Sequence, residues 1–232
     1  MHQLPLGVRV PDRAVFASFL PGRNAQAVEH LRMLAEGAAA GTAWICGPSG
    51  SGKTHLLQAT CALASKYGRA GYFPMRELAA LGPGALEGLQ ELDCICLDDL
   101  GTVIGSSEWE RALFALHRES EERGGRLIAA AEAPPVLTMW SLADLGSRWA
   151  ASTVFQLHTL EERQLTHALQ LRAHVRGLEL PDDTARWLQR RFPRDMHTLY
   201  ELLDTLDEAA LVARRRLTVP FIRSVLSRRA QP

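Results

Sequence analysis

Apolar positions Val28, Leu31 and Leu34 recur at helical spacing and stop before a small-residue stretch at 37–41, which predicts an amphipathic helix closed by glycine. Beyond it, short apolar runs alternate with helical patterns. The runs lie at 43–46, 70–73, 94–97, 127–131 and 153–157, each short enough for a strand buried on both faces. Five such strands with helices between them predict βαβ units and a parallel sheet. Ser107 with Glu110 three residues later predicts a capping box, opening a helix that carries Trp109, Leu113 and Leu116 on one face and ends at Gly124 and Gly125. Thr159 and Glu162 repeat the device. After that second box no strand pattern remains. Residues 160–176, 182–192, 195–213 and 220–227 read as helices, punctuated by Gly177 and Pro193.

Composition narrows the class only modestly. Of 232 residues, 47% are hydrophobic and 22% charged, enough apolar material to close a core and too little charge for a disordered chain. The 26 Lys and Arg balance the 26 Asp and Glu, so no broad basic field argues for nucleic-acid binding. Lys53 and Lys66 are the only lysines, the other cations being arginine. Cys46, Cys61, Cys94 and Cys96 sit in apolar surroundings and read as reduced, buried thiols rather than disulfides or zinc ligands. The start of the chain lacks a signal-peptide pattern, and no run reaches the roughly 18 apolar residues of a membrane helix. A cytoplasmic protein without a membrane partner is expected.

Chemistry enters at Gly47-Pro48-Ser49-Gly50-Ser51-Gly52-Lys53-Thr54, which fits G-x-x-x-x-G-K-[ST] between the first predicted strand and a helix starting at Lys53. Glycines let backbone N–H groups turn toward phosphate oxygens, the helix N-terminus adds partial positive charge, Lys53 reaches the terminal phosphates and Thr54 offers a hydroxyl to Mg²⁺. Such a loop requires an acid at the end of a buried strand. Cys94-Ile95-Cys96-Leu97-Asp98-Asp99 supplies it, with Asp98 expected to hold Mg²⁺ and Asp99 to polarise an attacking water. No other metal-ligand or nucleophile constellation stands out among the histidines. His55, next on the helix, is kept with the nucleotide-binding set.

The phosphate loop GPSGSGKTHLL, the strand CICLDDL and the helical tail together resemble the DnaA-related AAA+ ATPases over nearly the whole chain. Phe16-Ala17-Ser18-Phe19 with Pro21-Gly22, Leu169-Gln170-Leu171-Arg172, Gly177-Leu178-Glu179-Leu180-Pro181 and Leu217-Thr218-Val219-Pro220-Phe221 are similar to the branch of that family that inactivates the initiator DnaA. The resemblance implies a P-loop AAA+ fold: a clamp-binding peptide at 1–12, a nucleotide-binding α/β domain at 13–157 and a helical lid at 158–232, without an initiator's helix-turn-helix domain. It implies ADP or ATP with Mg²⁺ at the junction of the last two. Gln3, Leu4, Leu6 and Val8 then resemble a peptide that docks on the DNA polymerase sliding clamp, the beta subunit loaded on DNA. Arg148, in Leu145-Gly146-Ser147-Arg148, resembles an arginine finger acting in trans on a neighbour's γ-phosphate. Arg194 resembles the sensor arginine of the lid. The chain departs from the family at 129–135, where Glu132 is the one polar residue of a strand end that usually carries γ-phosphate sensors, and again after the finger, at Trp149-Ala150-Ala151.

The function so implied is an ADP-bound regulator that sits on the clamp, stimulates hydrolysis of DnaA-bound ATP and so restrains replication initiation. A homodimer or larger homo-oligomer is compatible with it. The alternative is a stand-alone DnaA-like or helicase-loader-type ATPase. A shortened DNA-binding initiator, using arginines such as Arg214, Arg215 and Arg216, fits the neutral charge balance least.

Overall fold

The computed structural model describes residues 14–191, 202–203, 205–206 and 217–229. The clamp-peptide candidates Gln3, Leu4, Leu6 and Val8, the sensor candidate Arg194 and most of the helix expected at 195–213 lie outside these residues.

Gly41–Cys46 (β1), Ala70–Pro74 (β2), Cys94–Asp98 (β3), Arg126–Ala131 (β4) and Thr153–Gln156 (β5) form one parallel sheet in the order β2-β3-β4-β1-β5. Cys46 pairs with Ala131 on one side and Gln156 on the other, while Pro74 pairs with Asp98, so the carboxyl ends of the strands gather along one edge. Ligands of open α/β sheets bind along such an edge. β3 and β4 are buried along their whole length, as continuous apolar runs covered on both faces should be. β5 corrects the expectation made for all five: Thr153, Val154 and Gln156 are exposed, because this strand has β1 as its single neighbour. An apolar run reveals a strand but not its place at the edge.

Ala25–Glu36 (α1) buries Val28, Leu31 and Leu34 and ends at Gly37, whose φ of 76° is a left-handed cap with its N–H bonded to the Leu34 carbonyl. Lys53–Ala64 (α2), Met75–Leu78 (α3), Ser107–Glu122 (α4) and Ala143–Ala150 (α5) complete this unit. Its core gathers Trp44, Ile95, Leu97, Leu113 and Trp149. Full burial of side chains of this size contributes about 1.5–3 kcal/mol each. Trp44 and Trp149 meet edge to face at 5.1 Å, which fixes α5 against β1.

The first expected capping box does not form, and the second is shifted along the chain. Ser106 is the N-cap of α4, and Glu110 is fully buried, accepting the N–H of Gly105 at 2.7 Å and that of Leu142. A carboxylate that ties down the loop before α5 is stabilised more there than at its own helix start, since each charge-assisted bond satisfies a donor that would otherwise be buried. The second box is Glu161 with Gln164, two residues beyond Thr159. All four cysteines are buried free thiols, and burial pushes the Cys61 thiol up to about 11.

Leu160 onward, together with Ala17–Leu20, forms a second compact unit. Glu162–Val175 (α6), Asp182–Arg191 (α7) and the Val219–Arg229 helix bury Leu165, Leu169, Leu188 and Ile222 in common, with Leu203 and Leu206 among them and Leu20 packed against the cluster. Among the described residues no helix is long and apolar enough to cross a membrane.

Candidate functional site

The glycine-rich loop leaves β1 at Cys46. Gly47 has φ 152°, and a β-carbon there would stand 2.6 Å from the Leu157 carbonyl oxygen, so a side chain is excluded where the loop passes the end of β5. The Gly47 N–H bonds to the Glu132 carbonyl at 3.2 Å, tying the loop to the exit of β4. Gly50 and Gly52 are left-handed, at φ 77° and 94°, which closes the turn into the N-terminus of α2. Lys53 Nζ donates to the Gly47 and Pro48 carbonyls at 2.7 and 3.0 Å, which places its charge inside the loop's curve. The Ser51 hydroxyl is buried without a hydrogen-bond partner, a donor of the kind a bound oxyanion satisfies. His55, one turn into α2, bonds through Nε2 to the Val15 carbonyl at 3.0 Å.

Asp98 ends β3 beside this loop. Burial raises its carboxyl above the ordinary carboxylate range; hydrogen bonds from Thr54 and Tyr72 pull it back, and the neighbouring Asp99 pushes it further up. The Tyr72 hydroxyl donates to Oδ2 at 2.8 Å, and the Asp99 N–H donates to Oδ1 at 2.9 Å. A buried carboxylate hydrogen-bonded to a threonine at the start of a phosphate-loop helix offers the hard oxygen donors that Mg²⁺ takes. Asp99 turns away from it with φ 52° and pairs with Arg76 at 3.4 Å. Arg76, Asp99, Thr102, Glu132 and Thr138 line a cavity of about 350 Å³ at the ends of β3 and β4. The structure thus brings Gly47, Lys53, Thr54 and Asp98 together, while the Asp99 carboxylate is directed to Arg76. Tyr72 and Arg76, neighbours that sequence reading missed, follow from a register that pairs β2 with β3.

Arg148 sits elsewhere. It projects from α5 into a second cavity of about 530 Å³ shared with Thr42, near the start of β1. Thr42 lies four positions before Cys46, about 13 Å of strand, before the phosphate loop begins.

Residues 161–226 match the family model of Hda, lid domain. Domain III of the replication initiation protein DnaA from Thermotoga maritima has the same fold, with a TM-score of 0.74 at 18% identity over 96% of this chain and 99% of that one. AMPPCP-bound DnaA from Aquifex aeolicus gives 0.67 at 18% identity, covering 84% of this chain and 65% of the other. A Thermotoga maritima RuvB variant is more distant, at 0.56 and 15% identity over 89% of this chain and 67% of that one. Sheet order, phosphate loop and helical second unit therefore give the chain the P-loop AAA+ fold. That fold is shared with domain III of DnaA, and residues 161–226 carry a lid of the Hda type.

Proposed function

We propose that this chain binds an adenine nucleotide and regulates replication initiation by lending Arg148 to ATP held on DnaA. The observation that carries the reading is the placement of Arg148. It shares a cavity with Thr42 near the amino end of β1, about 13 Å of strand from Cys46, where its own phosphate loop begins. A guanidinium there serves a nucleotide on another subunit, where it offsets the charge developing on the γ-phosphoryl group.

In the chain's own site, Gly47 to Thr54 cradle the phosphates, Lys53 turns from the loop carbonyls to the phosphate oxygens, and Thr54 with Asp98 holds Mg²⁺, which shields phosphate charge when bound. The reading extends to residues 3–8 as the peptide that docks on the DNA-loaded sliding clamp, with ADP in the resident site. Arg148→Ala is the direct test: nucleotide and clamp binding persist while acceleration of hydrolysis on DnaA is lost. Equal loss of all three would mark a folding defect and remove the assignment.

A stand-alone ATPase is the second reading, favoured by the Thr54–Asp98 hydrogen bond beside Lys53. Substantial ATP turnover by the chain alone would select it.

A further inference from the structure

Arg148 is held on its edge of the sheet. Its Nη1 donates to Glu121 Oε2 at 2.8 Å, and its guanidinium carbon lies 5.0 Å from the centre of the Phe114 ring. Phe114 and Glu121 stand seven residues apart on α4, hence on one side of the helix. A carboxylate beside an aromatic face is the combination that binds a guanidinium, through a charge-assisted hydrogen bond and attraction to the ring quadrupole. Asp144, Ser147 and His117 complete the 530 Å³ cavity around it. His117 is buried, and neither ring nitrogen has a hydrogen-bond partner. Burial lowers the pKa of its imidazole, and Nδ1 lies 3.9 Å from Glu121 Oε2, so it forms the closed floor of the cavity rather than an open acceptor.

While paired, Arg148 is a weak finger, because the Glu121 charge beside it opposes whatever the guanidinium offers a phosphate. Glu121 and Asp144 also outnumber the one cation of the cavity. The site therefore already holds one guanidinium on Glu121 and has a second carboxylate, Asp144, beside it.

We propose that this cavity is a guanidinium-exchange site: an arginine of the protein whose nucleotide Arg148 serves takes its place on Glu121 and Phe114, and Arg148 leaves with its charge uncompensated. The inference rests on the trans role given to Arg148 above. It makes docking and activation one event, since the finger is released by the partner that needs it.

Glu121→Gln is the test, with a melting curve as control, since the side chain is largely exposed and the variant is expected to fold. In hydrolysis of ATP preloaded on DnaA, exchange predicts that the half-maximal concentration of this protein rises about tenfold, the usual worth of one charged hydrogen bond, with the maximal rate kept within about twofold. A fall in maximal rate at unchanged half-maximal concentration would make Glu121 a support for the working pose of Arg148 and overturn exchange. So would no change in either. A second arm needs no DnaA: arginine amide titrated into the isolated chain shifts the Arg148 Nε–H resonance in wild type but not in Glu121→Gln, and urea does not. No arginine-specific shift overturns the proposal. If the shift occurs but wild type leaves DnaA-bound ATP untouched, the exchange site stands and the functional reading falls.

Discussion

The guanidinium of Arg76 stands 3.4 Å from the carboxylate of Asp99, across the ends of the paired strands β2 and β3. Asp99 is the one non-glycine residue with positive φ among those described, and its N–H is held by Asp98. A left-handed conformation costs about 1–2 kcal/mol, which bonds of this kind offset. The same pairing occupies the Asp99 carboxylate, which would otherwise be free to orient a water. Arg76→Ala is therefore expected to raise ATP turnover by the chain alone severalfold, with little effect on melting because the pair is exposed. Phosphate release at saturating ATP reads this directly, and adding Asp99→Asn should cancel the gain. Unchanged turnover in Arg76→Ala would show that the ion pair does not restrain Asp99.

Lys53→Ala removes the one ammonium inside the loop. Two or more charge-assisted bonds to phosphate oxygens are lost, so ADP and ATP should bind about a hundredfold more weakly or worse. Calorimetric titration measures it. Affinity within threefold of wild type would place the nucleotide elsewhere.

Gly47→Ala sets a β-carbon against the Leu157 carbonyl in a conformation that side chains rarely adopt. The loop must shift away from the end of β5, at a cost of about 1–3 kcal/mol. A lower melting temperature together with weakened nucleotide binding is the expected result.

His117 gives the pH dependence its sign. Burial holds its folded-state pKa below the ordinary 6.5, so between the two values the unfolded chain binds more protons and stability rises with pH. Put the other way, stability is full above 6.5 and declines as the pH falls below it. His117→Phe keeps the ring against Trp149, which the imidazole meets at 5.1 Å, and removes two unpartnered nitrogens. The variant should gain about 1 kcal/mol at neutral pH and lose part of the acid dependence. Denaturant melts of both proteins from neutral pH downward decide it; parallel curves would mean that His117 does not titrate with unfolding.

Much of this architecture was legible in the chain. The runs around Ile45, Ile95 and Ile128 announce buried strands because a strand covered on both faces has no polar side, and the phosphate loop needs specific residues at fixed spacing. What depends on distant partners was not. Glu110 looked like half of a local capping box, yet its carboxylate reaches Leu142, 32 residues on. Thr153 to Gln156 read as core because nothing local marks an edge strand. Arg76, Tyr72 and Glu121 carry no motif; only strand register and the packing of α4 beside α5 bring them to Asp99, Asp98 and Arg148. A signal existed for Arg76 alone, in its place just past a strand end next to the acidic strand.

In the proposed function Arg148 acts on a nucleotide held by another protein. That role is tested most directly by following hydrolysis of labelled ATP preloaded on DnaA, with this protein added, with and without sliding clamp loaded on DNA, and with residues 1–8 deleted or Arg148→Ala as controls. The expected result is acceleration that needs the clamp, disappears in the deletion and disappears in Arg148→Ala although nucleotide binding remains. No acceleration, with robust ATP turnover by the chain alone, would contradict it and make the protein an independent ATPase.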